Sequence, residues 1–218
     1  MAPKIAIVYS LIAKDGKLIY ALQYSMYGHV KSLADAEAEG IRSAGGNVDI
    51  YCVEETLSPE ILAKMHAPPR NPSVNVLSDP SVLEQYDGFL FGIPTRFGSF
   101  PAQWRHFWDK TGKHWTAGAY WGKLAGVFVS VATQGGGQGE TALATMSTLT
   151  HHGIIYVPLG YKPVAALLND NSEVRGGTPW GAGTFAGDDG SRMPSGKELE
   201  IAKAQGKAFA ETLAKFGF

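Results

Sequence analysis

The chain has 218 residues, 44% of them hydrophobic and 18% charged, enough to bury one large core, and it is read as a single domain spanning residues 1–218. A net charge of -1, with no cluster of Lys and Arg, argues against a nucleic-acid surface, and the single Cys52 excludes an internal disulfide framework or a multi-Cys metal site. Neither a secretory leader pattern at residues 1–9 nor an apolar run of spanning length is present, so the expectation is a soluble, cytoplasmic protein with no integral membrane segment.

Residues 4–9 (K-I-A-I-V-Y) form a short apolar run that suits a strand buried on both faces of a parallel sheet. Residues 10–23 then interrupt the chain before Tyr24-Ser25-Met26-Tyr27-Gly28-His29, which leads into a helical pattern at Val30. A Ser at the mouth of a helix, followed by a Gly that lets the backbone turn, offers a hydroxyl and unpaired N–H groups to an anion. The pattern lacks the Lys of a P-loop, and flavin mononucleotide (FMN) is the commonest ligand with that demand. An ordinary Ser N-cap would show the same residues.

Val30, Leu33, Ala34, Ala38 and Ile41 recur at helical spacing until Gly45-Gly46, and Asn47–Val53 reads as the second strand. Residues 54–81, rich in Pro, form an irregular excursion with one short helix at 59–65. A third strand at 88–93 ends in Pro94-Thr95-Arg96-Phe97-Gly98, and helical spacing resumes through Trp104, Phe107 and Trp108. Leu124–Val131 is the fourth strand, followed by a Gly-rich loop, a helix at 140–150 and a fifth strand at 154–159. Residues 161–193 carry no assignable element, and 195–216 close the chain as an amphipathic helix.

Strands alternating with helices predict an α/β fold, a doubly wound, five-stranded parallel sheet with helices on both faces. With strand order 2-1-3-4-5, the ligand crevice lies at the C-terminal ends of strands one, three and four. Three loops meet there. Arg96 can offer charge to the ring of a flavin, or pair with a surface carboxylate; the glycines of T-Q-G-G-G-Q-G let backbone approach a planar ligand, or make a flexible loop. G-Q-G-E-T-A at 137–142 matches a dinucleotide fingerprint but sits on the wrong βα turn and lacks the acidic residue about twenty positions on. His151-His152 lack the spacing and carboxylate partner of a metal site, so no metal is expected.

Taken together, Y-S-M-Y-G-H, P-T-R-F-G, F-W-D-K-T-G, G-G-G-Q, H-H-G, V-R-G-G-T-P-W-G-A-G-T and G-D-D-G-S-R-M-P-S resemble the WrbA-type NAD(P)H:quinone oxidoreductases of the flavodoxin-like superfamily, nearly from end to end. The resemblance implies a homotetramer or homodimer that binds FMN, takes a hydride from NADH or NADPH and passes two electrons to a quinone in a ping-pong cycle. Carried over by position, it implies a phosphate loop of Ser25, Met26, Tyr27, Gly28, His29 and Val30. The flavin-edge loop becomes Pro94, Thr95, Arg96, Phe97 and Gly98, and the second ring-side loop Ser130, Val131, Ala132, Thr133, Gln134, Gly135 and Gly136. His151 becomes a flavin contact, and Tyr27 and Trp115 line the nicotinamide and quinone site; no protein group is assigned a catalytic role because the flavin carries the chemistry. An electron carrier of the same fold, or a non-catalytic FMN-binding or scaffold protein, are the alternatives.

Two departures stand out. Val131 and Ala132 occupy positions where the family favours a hydroxyl residue and a Gly, and residues 10–23 split a strand and cradle that the family keeps continuous. That insert offers two first strands, 5–9 or 19–23, and the second would put Tyr20 where Ala6 otherwise stands, at an overpacking cost of roughly 1–3 kcal/mol. The expectation is therefore that 5–9 forms the strand, with the insert as a mobile hairpin about Asp15-Gly16 that loosens the cradle.

Overall fold

The computed structural model describes residues 17–69, 72 and 74–216. Strands β1 (Leu18–Gln23), β2 (Asn47–Val53), β3 (Asn75–Leu77), β4 (Gly88–Pro94), β5 (Leu124–Val131), β6 (Ile155–Tyr156) and β7 (Gly183–Phe185) form one sheet. The helices are α1 (His29–Ser43), α2 (Pro59–Lys64), α3 (Ala102–Asp109), α4 (Gly112–Thr116), α5 (Gln138–His151), α6 (Ala165–Asn169) and α7 (Gly196–Leu213), with a 3-10 turn at Pro80–Gln85. The strand order is β3-β2-β1-β4-β5-β6, β7 pairs with β5, and each of the pairings is parallel.

Alternate residues of each strand enter opposite layers, as the pleat requires. Tyr20, Leu22, Phe89, Phe91, Ala125 and Val127 join an aromatic-rich layer with Trp104, Trp108 and Tyr120. Ile19, Leu90, Leu124 and Phe128 face the other way, under α1 and α7. Those two helices meet at backbone distance. A Cβ on Gly40 would collide with the Lys203 carbonyl, and one on Gly206 with that of Glu37. Glu37 itself is fully buried and, among the described residues, neither carboxyl oxygen has a hydrogen-bond partner. No helix among the described residues is long and apolar enough to cross a membrane.

The choice of first strand is reversed. β1 is Leu18–Gln23, seated between β2 and β4, while residues 5–9 and the Asp15-Gly16 turn lie outside the described residues. Tyr20 does not overpack its slot: its ring stacks on Tyr51 and meets Tyr86 edge-on, both at 4.6 Å between centroids. The slot is lined by aromatic rings from β2 and from the turn before β4, and so takes a tyrosine rather than the volume of Ala6. From Leu18 onward the supposed insert is sheet, so strand and cradle are continuous after all: Tyr24 N donates to Gly92 O at 3.2 Å, and Ser25 follows.

The sheet also has seven strands rather than five. β3 extends one edge beyond β2. On the other side, β6 is only Ile155–Tyr156; after Val157 N reaches Ala125 O at 2.7 Å, Pro158 has no N–H to continue the ladder. The C-terminal half of β5 is instead paired by β7, with Val129 opposite Gly183. Residues 161–193, unassigned from sequence, thus contribute α6 and a strand beside the expected crevice.

Candidate functional site

A cavity of about 370 Å³ opens at the C-terminal ends of β1, β4 and β5, and all three loops picked out in the sequence reach it. Its lining includes Ser25, Met26, Tyr27, His29 and Val30 from the first loop, Pro94, Thr95 and Arg96 from the second, and Ser130, Val131, Ala132, Thr133 and Gly136 from the third. A fourth wall, 186–190, comes from the loop after β7.

The first loop is shaped as an anion cradle. Gly28, not Ser25, is the N-cap of α1, with φ of 93°, and as a glycine it makes no side-chain cap bond of its own. Ser25 Oγ, from outside the helix, takes up one first-turn donor, accepting from Lys31 N at 3.2 Å. Gly supplies the left-handed turn at no steric cost, and a helix start whose N-cap residue has no side chain leaves the N–H groups before Lys31 and the positive end of the helix dipole for a ligand. His29 is 5% exposed and lines the cavity, and its Nε2 has no hydrogen-bond partner among the described residues. A buried polar atom without a partner calls for one, and a phosphate oxygen at a helix start satisfies both. The cradle therefore fits the phosphate of FMN.

Beneath it, Glu55 ties the cradle to β2 and α3. Tyr24 Oη and Gln103 Nε2 each donate to its carboxylate at 2.7 Å, and Thr56 N and Leu57 N donate as well. Burial works to raise the Glu55 pKa, but hydrogen bonds from Leu57 N–H, Tyr24, Gln103 and Thr56 N–H outweigh it and hold the group below its ordinary value. The same contact keeps Tyr24 neutral: burial, then the bond to Glu55, pushes its hydroxyl far up.

The second and third loops brace each other. Thr95 N donates to Ser130 O at 2.9 Å, and the Thr95 and Thr141 hydroxyls share a 2.6 Å bond. Arg96 and Ser99 exchange backbone hydrogen bonds across Phe97 (φ 53°) and Gly98 (φ 73°), a tight turn with two left-handed residues. A bulky side chain in that region is held against its preference, and Phe97 is fully exposed. Gly137 packs on Gly98 so closely that a Cβ there would stand 3.3 Å from the Gly98 Cα. The Arg96 guanidinium donates to Thr95 O at 2.9 Å and remains exposed at the cavity rim.

Gly28, Phe97, Gly98, Gln134, Gly135, His151 and Trp115 lie outside the lining of this cavity. Trp115 and His151 form a patch of their own, Trp115 Nε1 donating to His151 O at 2.8 Å. Trp115 is 56% exposed. His152 packs beneath, between Trp108 and Tyr120, and shares a 3.1 Å bond with the Thr111 hydroxyl. Burial, then the nearby His114 and His151, lowers its pKa.

The fourth wall was not anticipated. Gly187 and Gly190 have φ of 79° and 75°, Ser191 N donates to Asp189 Oδ1, and the loop is held to the third by Gly187 N donating to Ala132 O at 3.0 Å. The G-D-D-G string signals a turn, yet nothing in it tells that β7 will carry that turn to the crevice.

The model of the NADPH-dependent FMN reductases matches residues 25–166, from the cradle through α6's first residues. The chain belongs to this family. Within it, the chain is 62% identical over the full length of both proteins to the minor allergen Cla h 7 of Davidiella tassiana. It is 50% identical to NAD(P)H quinone oxidoreductase PST3 of Candida albicans, over 99% of this chain and 100% of the relative. Among solved structures, a WrbA-like flavodoxin from Agrobacterium tumefaciens superposes with a TM-score of 0.60 at 23% identity, covering 91% of this chain and 98% of that one. The resemblance to WrbA-type quinone oxidoreductases stands, and the flavodoxin-like α/β fold with it.

Proposed function

We propose that this family member is an FMN-dependent NAD(P)H:quinone oxidoreductase that passes two electrons from NADH or NADPH to a quinone by a ping-pong cycle, acting in the cytoplasm. The observation that carries the reading is His29 Nε2, without a hydrogen-bond partner among the described residues, beside the Gly28-capped start of α1, in a cavity walled by the ends of β1, β4 and β5. Bound FMN supplies a two-electron, hydride-accepting centre. The protein's part is to hold and tune it. Ser25, His29 and the first turn of α1, which Gly28 opens, would hold the phosphate; the braced turns at 94–98 and 130–136 would offer backbone to the ring, and Arg96 would offer positive charge at the rim.

Tyr27 and Trp115 are assigned to the nicotinamide and quinone site. Tyr27 is 40% exposed at the cradle and donates to Met65 O at 3.0 Å. Phe97, Trp115 and Trp121 are exposed apolar rings, which favours assembly into a homotetramer or homodimer. Light scattering on the purified protein reads that state directly.

The deciding experiment is stopped-flow absorbance of the flavin band. NADH or NADPH should bleach the FMN-loaded protein and a benzoquinone should restore its colour. Stoichiometric FMN binding without bleaching by either nucleotide would replace the enzyme reading with that of an electron carrier.

A further inference from the structure

The fourth wall of the cavity hangs from a polar hub that the flavin reading leaves unused. Glu198, in the first turn of α7, is fully buried, yet its carboxylate is among the most fully satisfied groups described. Gly176 N donates at 2.6 Å, Ser195 N at 2.7 Å, Thr184 Oγ1 at 2.8 Å and Arg192 Nη1 at 2.9 Å. Ser195 and Glu198 complete a capping box, so the α7 start holds the carboxylate still. Charge-assisted hydrogen bonds of this kind are about twice as strong as neutral ones.

Arg192 transmits that rigidity to the cavity. Its Nη1 also donates to Phe185 O at 2.7 Å and its Nη2 to Val174 O at 3.1 Å, while its backbone N donates to Ala186 O at 3.0 Å. One side chain thus closes the base of the loop that begins after Phe185 and ends at Arg192 itself. The closed loop sits over the cradle. His29 Cε1 lies 4.0 Å from where a Cβ on Gly190 would stand, and Met193, the residue after the clamp, brings its Cε to 3.6 Å from the equivalent point on Gly28.

We infer that Arg192 and Glu198 are positioning residues: they clamp the base of loop 186–191 so that it roofs the phosphate cradle and slows release of the cofactor. The inference rests on the flavin reading. It asks more of the chain, namely that cofactor retention depends on groups that do not line the cavity. An open loop would expose the cradle to water and weaken its hydrogen bonds to the phosphate. Loss of Arg192 leaves Glu198 with donors at Gly176, Thr184 and Ser195, so the sheet and α7 should survive it.

The test is titration of apoprotein with FMN, followed by flavin fluorescence, with the release rate measured separately. Arg192→Ala should weaken binding roughly ten- to a hundredfold, mainly through faster release. Arg192→Lys keeps the charge but not the two-pronged reach, and should fall between; it carries the test if the Ala variant does not fold. Leu213→Ala, at the buried far end of α7, is the control: it should lower the melting temperature and leave FMN affinity unchanged below that temperature. Wild-type affinity in the Arg192 variants overturns the clamp, and so does an equal loss in Leu213→Ala. Failure of the wild-type protein to bind FMN defeats the flavin reading itself.

Discussion

The ring of Tyr20 lies nearly parallel to that of Tyr51, 4.6 Å away and tilted by 14°, in the middle of the sheet. An offset aromatic pair of this kind contributes roughly 0.5–1.5 kcal/mol beyond burial, and Tyr86 adds an edge contact. Tyr20 Oη, however, is buried without a hydrogen-bond partner among the described residues, and burial pushes its pKa far up. Tyr20→Phe should therefore hold or raise stability by up to about 1 kcal/mol, while Tyr20→Ala should cost about 3–5 kcal/mol. Urea denaturation of the three proteins measures both, and an unchanged midpoint in Tyr20→Ala would deny β1 its place in the sheet.

Glu37 sets a pH dependence. Complete burial raises its pKa well above the ordinary carboxyl value in the folded state, while the unfolded chain keeps that ordinary value. The folded protein therefore holds the proton longer, and the group's contribution is full below the unfolded pKa and lost as pH rises through the folded one. Glu37→Gln should flatten that slope. Melting temperatures taken from mildly acid to mildly alkaline pH should show the variant gaining on wild type as pH rises; parallel curves would mean that Glu37 finds a partner or water.

Gly206 is where α7 meets α1. Any Cβ there runs into the Glu37 carbonyl, which is backbone and has nowhere to move without parting the helices. Gly206→Ala should cost at least the roughly 1–3 kcal/mol usual for overpacking, despite the better helix propensity of Ala. Circular dichroism during thermal melting reads the loss, and a stabilised variant would mean that the helices pack less closely.

These contacts mark the limit of what the sequence discloses. Asn47–Val53 and Leu124–Val131 are legible with their boundaries because apolar runs end at Gly, Pro or polar turns, and α1 is legible from the spacing of Val30, Leu33 and Ile41. Three walls of the cavity follow from the rule that strand ends of a doubly wound sheet converge. The choice between 5–9 and 19–23 is not legible in that way, since both satisfy the pattern and the decision falls to Tyr51 and Tyr86, far away in sequence. β7 is short and pairs with β5 across more than fifty residues, so neither it nor the wall it carries leaves a local periodicity. Glu198 reads as one more helix-start carboxylate until its burial is seen.

Arg96 supplies the last test. It is an exposed cation at the cavity rim, and its described hydrogen bond goes to Thr95 O rather than to a carboxylate. The guanidinium is therefore not committed to a surface ion pair, and the turn through Phe97 and Gly98 fixes its backbone beside the third loop. Negative charge at the pyrimidine edge of a reduced flavin would be favoured by it. A charge-assisted hydrogen bond contributes roughly 1.5–3 kcal/mol, so Arg96→Ala should weaken FMN affinity or slow its reduction by about tenfold to a hundredfold. Arg96→Lys should recover part of that loss, because charge without the planar fork still favours the anion. Fluorescence titration separates binding from rate, and stopped-flow reduction of the loaded protein gives the second number. Wild-type values in both for Arg96→Ala would leave the residue as a rim cation with no part in the chemistry.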